Sequence, residues 1–168
     1  DGTVQGLIAL AGIPLVGCGI LSSALCIDKD RAHKLVSLEG ITVPRSVVLT
    51  EYDEPMAPRH AAEALGYPVF VKPVRAGSSF GITRVTEESE LNQAVQLAFL
   101  YDDRVIIEQA IPGFEVGCAV LGGDCLTTGA VDEIQLSFGF FDYKEKYTLE
   151  TSQIHCPARI DEETARRI

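Results

Sequence analysis

The stretch that decides the fold is Pro68-Val-Phe-Val-Lys-Pro-Val-Arg-Ala-Gly-Ser-Ser-Phe-Gly-Ile82. Its first half predicts a strand over Val69–Lys72, because β-branched and aromatic residues are followed by a proline that ends regular pairing. Its second half can bend sharply and can offer backbone N–H groups and two serine hydroxyls to anionic oxygens. The spacing matches neither the Walker phosphate loop nor the three-glycine dinucleotide fingerprint. On this stretch alone, an ordinary hairpin turn is at least as good an interpretation as a nucleotide loop.

The length, composition and charge of the chain limit the types of protein and binding partner to be considered. The chain has 168 residues, of which 46% are hydrophobic, and this is enough for a substantial core in one or two compact units. The formal net charge of -10 argues against a nucleic-acid or anionic-membrane partner, because the average field repels both. A small anion can still bind, since a few lysines can invert the potential inside a cleft. We find no apolar run long enough to span a membrane and no signal peptide.

The cysteines and histidines show no catalytic or metal-binding pattern. The five cysteines are odd in number and widely spaced, without any Cys-x-x-Cys motif, so we expect reduced core thiols in a cytosolic protein. The three histidines have no spacing typical of a metal site and are interpreted as surface or core residues. No Gly-x-Ser-x-Gly elbow supports hydrolase chemistry. The residues concerned are Cys18, Cys26, Cys118, Cys125, Cys156, His33, His60 and His155.

Hydrophobic periodicity and turn residues predict helices interleaved with strands, followed by a hairpin. Apolar spacing of three and four predicts a helix over Glu87–Leu100 capped by Thr86, and Gly122-Gly-Asp124 predicts the hairpin turn. This order fits a two-domain α+β nucleotide-binding architecture. Other helices are predicted over residues 3–11, from a cap at Ser22 or Ser23 to Gly40, before Gly66, and after Asp161. The predicted strands are Leu15–Gly17, Val47–Leu49, Val69–Lys72, Ile82–Val85, Arg104–Gln109, Glu115–Leu121 and Cys125–Ile134.

Four segments, taken in order, carry a resemblance to a known family. They are Cys26-Ile-Asp-Lys-Asp30, the Pro68–Ile82 stretch, Ile106–Gly122 and Phe140-Phe-Asp-Tyr-Lys-Glu-Lys-Tyr147. Together they resemble the D-alanine:D-alanine ligase family of the ATP-grasp superfamily. Several motifs in the right order are far more specific than any one of them, and the resemblance covers nearly the whole chain.

Within that family the chain looks most like the vancomycin-resistance branch, in particular the ligases that make D-alanyl-D-serine. This likeness is strongest at Arg75–Gly81, Phe114–Gly122 and Tyr147–Ile154. Family members continue beyond both ends, so we expect an internal fragment with an ATP-grasp α+β fold. The implied division is a tail of the N-terminal substrate domain at residues 1–18, a central ATP-grasp subdomain at 19–108, and the first part of the C-terminal subdomain at 109–168.

The resemblance implies which residues bind ATP. Lys29 and Lys72 would place their charges on the phosphates, although an arbitrary lysine is most often a solvated one. Lys146 would reach the same phosphates, and backbone groups around Gln109 and Ile111 would face the adenine. The complete implied set is Lys29, Phe70, Lys72, Ser78, Ser79, Glu108, Gln109, Ile111, Glu115, Phe141 and Lys146.

Some of these positions have a structural alternative. A carboxylate that ends a buried strand, as Glu108 does, is often simply paired, whereas the resemblance makes Glu115 the acceptor for ribose hydroxyls. Many ligases carry Glu-Lys where this chain has Glu108-Gln109, so we expect backbone contacts there and no contact from a charged side chain at position 109. Residues 138–147 are either a hydrophilic loop with packed anchors or the mobile loop that closes over the site. The implied catalytic pair is Ser78 hydrogen-bonded to Tyr147.

The reaction implied by the resemblance is the ATP-dependent joining of D-alanine to D-serine or D-alanine, for peptidoglycan precursors and vancomycin resistance. Magnesium is implied too, with its ligands beyond Ile168 and none in this chain. We expect a cytoplasmic protein, a homodimer at full length, with D-amino acids as partners and neither nucleic acid nor membrane. Tyr147 favours an amine nucleophile, because the D-lactate ligases place a histidine in its role. Two alternatives stay open, another ATP-grasp carboxylate–amine ligase and a non-catalytic nucleotide-binding module.

Overall fold

The structure is a computed structural model that describes residues 1–136 and 152–168. The chain forms two compact units, Asp1–Ile111 and Pro112–Ile168. In the described residues, the first unit combines several helices with an antiparallel sheet and the second combines one helix with another antiparallel sheet, which confirms the predicted α+β class. Within the described residues, no helix is both long and apolar enough to cross a membrane. The finer predicted division after residues 18 and 108 stays a prediction.

The first unit is built on a four-stranded sheet. Its elements in chain order are α1 Thr3–Leu10, α2 Ile20–Ile27, α3 Lys29–Leu38, β1 Ser46–Thr50, α4 Ala57–Leu65, β2 Val69–Pro73, β3 Thr83–Val85, α5 Glu88–Phe99 and β4 Arg104–Gln109. The strand order is β1-β4-β2-β3, and all neighbours are antiparallel. Four predicted strands of this unit, those from Val47 to Gln109, are therefore confirmed.

The two faces of this sheet differ, because side chains alternate along a strand. Val71 of β2 and Ile107 of β4 are fully buried in a core that includes residues of α4 and α5. The intervening residues of the same strands project from the opposite face. Lys72 and Glu108 lie there, and the register places Phe70 directly beside Glu108. Because apolar residues alternate along β2 and β4 and face the core, the residues that lie between them in each strand face the other side of the sheet.

The predicted helix that begins at Ser22 or Ser23 is in fact two helices, with Asp28 between them. Both serines lie inside α2. Asp28 has extended backbone angles, φ -83° and ψ 98°, and its carboxylate accepts a hydrogen bond from the Arg31 backbone N–H at 2.9 Å. This carboxylate caps α3 at least as well as a serine hydroxyl would. The interruption places Lys29 at the first position of α3.

The predicted buried strand at Leu15–Gly17 is wrong. These residues form no regular element, and Val16 is fully exposed. Pro14 has no N–H to donate to a neighbouring strand, and Gly17 has a φ of 139°, which is outside the strand region. The short apolar run is therefore a connection between α1 and α2.

The predicted helix after Thr86 is present, but its cap differs from the prediction. Glu87 occupies the cap position of α5 without a side-chain cap hydrogen bond. The Thr86 backbone N–H and hydroxyl instead donate to the carboxylate of Glu90, at 2.7 and 3.0 Å. The predicted apolar face is confirmed, because its four members are all buried. They are Leu91, Ala94, Val95 and Ala98.

The prediction that the cysteines are core thiols is wrong. All five are free, four are exposed, and Cys118 is half-buried. The apolar helix α2, which carries Cys26, contributes no residue to the buried core. Hydrophobic neighbours in sequence therefore did not indicate burial at these positions. The exposed thiols are Cys18, Cys26, Cys125 and Cys156.

In its described residues, 112–136 and 152–168, the second unit has a three-stranded sheet and a short helix. Its elements are β5 Glu115–Gly122, β6 Leu126–Leu136, β7 Ser152–His155 and α6 Glu162–Arg167. The strand order is β5-β6-β7, and β5 with β6 forms the predicted hairpin. The carboxylate of Asp161 caps α6 by accepting from the Thr164 N–H at 2.8 Å, which confirms the helix start.

Candidate functional site

Three charged residues from distant parts of the first unit meet on the sheet face opposite α4 and α5. They are Lys29 at the start of α3, Lys72 on β2 and Glu108 on β4. Burial and the charge of Lys72 lower the pKa of Lys29, while the charge of Glu108 opposes them, so the three groups interact. Phosphates need a concentration of positive charge, and two of these three residues supply it.

Lys72 and Glu108 form a buried ion pair across adjacent strands. The Lys72 ammonium donates to Oε2 of Glu108, and the side chains are 21% and 3% exposed. In the register, Lys72 lies opposite Ile106, so the ion pair joins diagonal neighbours on one face. The ammonium also lies 5.3 Å from the centre of the Phe70 ring. A buried carboxylate without a counter-charge is strongly unfavourable, so each partner depends on the other.

The second oxygen of Glu108 is a hydrogen-bond acceptor without a partner among the described residues. Oε1 lies 3.7 Å from Nδ1 of His33, which is too long for a hydrogen bond, and Nδ1 has no partner there either. Buried polar atoms are nearly always hydrogen-bonded. Both atoms are enclosed by protein, so this acceptor faces the His33 ring and not open space. Sequence reasoning missed His33, although its spacing of four from Lys29 on one helix was visible.

Lys29 holds the β2–β3 loop, residues 74–82. Its Nζ donates to the carbonyl oxygens of Pro73, Val74 and Ala76, at 3.0, 3.3 and 2.8 Å. An ammonium group has three N–H donors, so all three are engaged by this backbone. The backbone N–H of Lys29 also donates to the Val74 carbonyl, at 3.1 Å. Lys29 can therefore attract a nearby anion through its charge. It can donate a hydrogen bond to that anion only by giving up one of its bonds to the loop carbonyls.

The β2–β3 loop is anchored at its base and strained at its tip. Arg75 anchors the base, since its backbone N–H donates to Asp102 at 2.7 Å and its guanidinium binds the same carboxylate. At the tip, Ser78 and Ser79 both have positive φ, 50° and 59°, in a region that non-glycine residues seldom occupy. Strained backbone of this kind clusters at ligand-binding sites, where the surroundings hold it in place.

Two other predicted nucleotide contacts lie at the end of the first unit. The Gln109 backbone N–H donates to the Arg45 carbonyl at 2.9 Å, and its side-chain oxygen accepts from Arg45 Nε at 3.1 Å. Ile111 is 63% exposed. Gln109 is therefore fixed by Arg45, and its backbone N–H is already used within the protein.

The remaining predicted site residues do not belong to the first unit. Glu115 is the first residue of β5 in the second unit, and it is exposed. Phe141, Lys146 and Tyr147 lie in the segment 137–151, outside the described residues. Their roles in the site stay predictions.

Comparison with known proteins identifies the family. The family model described as the D-ala D-ala ligase C-terminus matches residues 35–168, which is well over half of the chain. This chain belongs to the D-alanine:D-alanine ligase family. The predicted family and ATP-grasp fold are thereby confirmed, and the structural neighbours below agree with both.

Several ligases of this family are similar over the whole chain. The vancomycin B-type resistance protein VanB of Enterococcus faecalis is 47% identical over 100% of this chain and 49% of its own length. A D-alanine–D-alanine ligase of Caldicellulosiruptor bescii is 44% identical over 100% of this chain and 47% of its own. The crystal structure of the VanG D-Ala:D-Ser ligase from Enterococcus faecalis has a TM-score of 0.88 and 64% identity, over 99% of this chain and 49% of that one. This chain therefore spans about half the length of these relatives.

The carboxylate of Asp102, which anchors the β2–β3 loop, should lose its stabilising effect in acid. Burial raises the pKa of Asp102, but the hydrogen bonds that its carboxylate accepts from Arg75 outweigh burial and lower this pKa to about 2. The folded pKa thus lies below the unfolded value of ~3.9, so the stabilisation is complete above about pH 5 and is lost as the pH falls toward 2. We expect the difference in free energy of unfolding between the chain and Asp102→Asn to shrink as the pH falls from about 5 toward 2.

Urea unfolding at several pH values measures this difference. Asp103→Asn is the matched control, because Asp103 binds the same arginine but its side chain is 71% exposed. We expect the control to change stability by less than about 1 kcal/mol at every pH. A stability loss in Asp102→Asn that does not vary with pH would contradict the assigned pKa.

Replacing a glycine of the β2–β3 loop by alanine should destabilise the fold at Gly81 but not at Gly77. Gly81 has a φ of 68°, and a Cβ there would lie 2.6 Å from Tyr101 Cδ2 and 2.9 Å from Pro73 Cγ. At Gly77 a Cβ would meet nothing within 4 Å. We expect Gly81→Ala to lower the free energy of unfolding by about 1–3 kcal/mol and Gly77→Ala to leave it nearly unchanged. Equal unfolding midpoints in urea would show that the loop is not held in this shape.

Proposed function

We propose that this chain supplies ATP-binding residues of a ligase that joins D-alanine to a second D-amino acid for peptidoglycan precursors. The observation that carries the proposal is the meeting of Lys29, Lys72 and Glu108 beside a strained, serine-containing loop. The family match agrees with it, because the VanG relative is described as a D-Ala:D-Ser ligase. Vancomycin resistance would follow from a D-alanyl-D-serine product.

The geometry fits ATP as the bound anion. Lys72 is 21% exposed, so its ammonium can contact a phosphate while it remains paired with Glu108. Lys29 adds a second positive charge and keeps the β2–β3 loop in place. Ser78 and Ser79 are proposed phosphate contacts at the tip of the loop.

In the proposed reaction, the carboxylate of the first D-alanine attacks the γ-phosphorus of ATP. The bond from phosphorus to the β,γ-bridging oxygen breaks, and ADP leaves with that electron pair. The amine of the second D-amino acid then attacks the carbonyl carbon of the D-alanyl phosphate and expels phosphate, and the amine loses a proton. Lys72 and Lys29 would stabilise the negative charge on the phosphate oxygens during the first step.

Magnesium and cellular location are part of the same proposal. Magnesium, when bound, would neutralise charge between the phosphates. Within residues 1–136 and 152–168, no group of three or more His, Cys, Asp or Glu side chains could hold a metal ion. On the family resemblance alone, we propose that its ligands lie outside this chain. Five free cysteines fit the reducing conditions of the cytoplasm. A homodimer at full length is proposed on the resemblance alone.

The second substrate is proposed to be D-serine or D-alanine, with D-serine favoured. Tyr147 supports an amine nucleophile, because a neutral hydroxyl gives no cationic partner to the oxygen nucleophile of D-lactate. One relative is described as a putative D-alanine–D-lactate ligase and is 50% identical over 142 residues, so the family alone does not decide. The 64% identity to the VanG D-Ala:D-Ser ligase favours D-serine.

The test is a competition assay on the full-length ligase that contains this chain. ATP and D-alanine are supplied with D-serine, excess D-alanine or D-lactate near neutral pH, and products are identified by mass spectrometry. We expect D-alanyl-D-serine and D-alanyl-D-alanine with release of ADP. Efficient formation of D-alanyl-D-lactate would overturn the choice of acceptor, and the absence of any ATP-dependent product would overturn the proposed function.

A further inference from the structure

Arg104, the first residue of β4, connects the two aspartates that flank Lys29. Its Nη1 lies 3.2 Å from Asp28 Oδ2, and its Nη2 lies 2.8 Å from Asp30 Oδ2. The aspartates are 1% and 7% exposed. Arg104 is 76 and 74 residues away from them in the sequence, so the contact fixes tertiary geometry. One guanidinium therefore holds the start of α3 from both sides of Lys29.

The same residue reaches Lys29 through the backbone. The Arg104 carbonyl accepts from the Val74 N–H at 3.0 Å, and the Val74 carbonyl accepts from the Lys29 N–H at 3.1 Å. That carbonyl also accepts from Lys29 Nζ, at 3.3 Å. Arg104 thus contacts both structures between which the Lys29 side chain lies, namely the start of α3 and the β2–β3 loop.

We propose that Arg104 is a positioning residue for ATP binding. By holding Asp28 and Asp30 away from Lys29, it keeps the Lys29 ammonium on the carbonyl oxygens of the β2–β3 loop. This inference rests on the proposed function. Without Arg104, two buried carboxylates would lie beside a lysine and would compete with the loop carbonyls for its ammonium. The loop would then lose up to three hydrogen bonds and its fixed shape. ATP binding would weaken, while binding of the D-amino acids would not change directly.

Two cations on α3 provide matched controls. Arg31 pairs with Asp28, and Lys34 pairs with Asp30 at 2.8 Å, from side chains that are 58% and 73% exposed. Arg31→Gln and Lys34→Gln remove the same charge beside the same two carboxylates. They leave the link from α3 to β4 intact. A purely electrostatic or helix-stabilising role would therefore affect the controls and the Arg104 variants alike.

The experiment measures steady-state kinetics of the full-length ligase with Arg104→Gln, Arg104→Lys and the two controls. ATP and D-alanine are varied separately. We expect Arg104→Gln to raise the KM for ATP by ~10- to 100-fold and to change the KM for D-alanine by less than about twofold. Arg104→Lys keeps the charge but lacks the planar fork that aims two nitrogens at the two aspartates, so we expect a smaller rise, of about 3- to 10-fold. The controls should stay within about twofold of the unchanged enzyme.

The outcomes separate this proposal from the proposed function. If both Arg104 variants match the controls in their KM for ATP, Arg104 is a structural residue and the positioning role is overturned, although the ligase activity stands. If Arg104→Gln does not fold, the Arg104→Lys kinetics decide by the same criterion. If the unchanged enzyme does not use ATP, the proposed function fails, and the positioning role fails with it.

Discussion

Replacing Lys72 by methionine should lower the free energy of unfolding of the first unit by about 3–5 kcal/mol. The reason is Glu108, whose side chain is 3% exposed and whose Oε2 accepts from Lys72. Without the lysine, the Glu108 carboxylate is left buried without its charge partner, which is unfavourable in the fold. Urea unfolding of the 168-residue chain, followed by circular dichroism, measures the loss.

Two further variants test this explanation. Lys72→Met combined with Glu108→Gln removes both charges, and we expect it to recover most of the lost stability. Lys34→Met removes a lysine that also binds an aspartate but is 73% exposed, and we expect a loss of less than about 1 kcal/mol. If the double variant is no more stable than Lys72→Met alone, the ion pair is not the source of the effect.

The double variant should nevertheless be a poor enzyme. In the full-length ligase we expect Lys72→Met/Glu108→Gln to reduce kcat/KM for ATP by about 100- to 1,000-fold, because one contact that stabilises the charge on the phosphates is lost. Glu108→Gln alone keeps the lysine, and we expect it to lose no more than about tenfold. The measurement is the rate of ADP release at subsaturating ATP with saturating D-amino acids. Equal kcat/KM in the double variant and in Glu108→Gln would remove Lys72 from the proposed mechanism.

The sheet of the first unit could be predicted from the sequence because its signals are local. Val69–Lys72 and Arg104–Gln109 carry runs of β-branched residues, and their flanking prolines and glycines mark where pairing ends. The alternation of Val71 with Lys72 also indicates that the lysine leaves the core face. Leu15–Gly17 shows the limit of such signals, since a short apolar run forms a strand only where a neighbour can pair with it.

The interactions that position the site could not be predicted in the same way. Arg104 binds Asp28 and Asp30 across more than seventy residues, and no periodicity relates an arginine on one strand to a helix start so far away. His33 beside Glu108 depends on how α3 lies over the sheet, which is equally invisible in composition. The resemblance to a ligase family indicated Lys29 and Lys72, but the contacts of Lys29 with three backbone carbonyls depend on the tertiary fold and leave no signal in the sequence.

The most direct test is a crystal structure of the full-length ligase with a non-hydrolysable ATP analogue and magnesium. The central claim is that the sheet face carrying Lys29, Lys72 and Glu108 binds the nucleotide. We predict a phosphate oxygen within about 3.2 Å of Lys72 Nζ, with the phosphates beside the β2–β3 loop and Lys29 near them. A nucleotide bound elsewhere, with Lys72 contacting only Glu108, would contradict the claim.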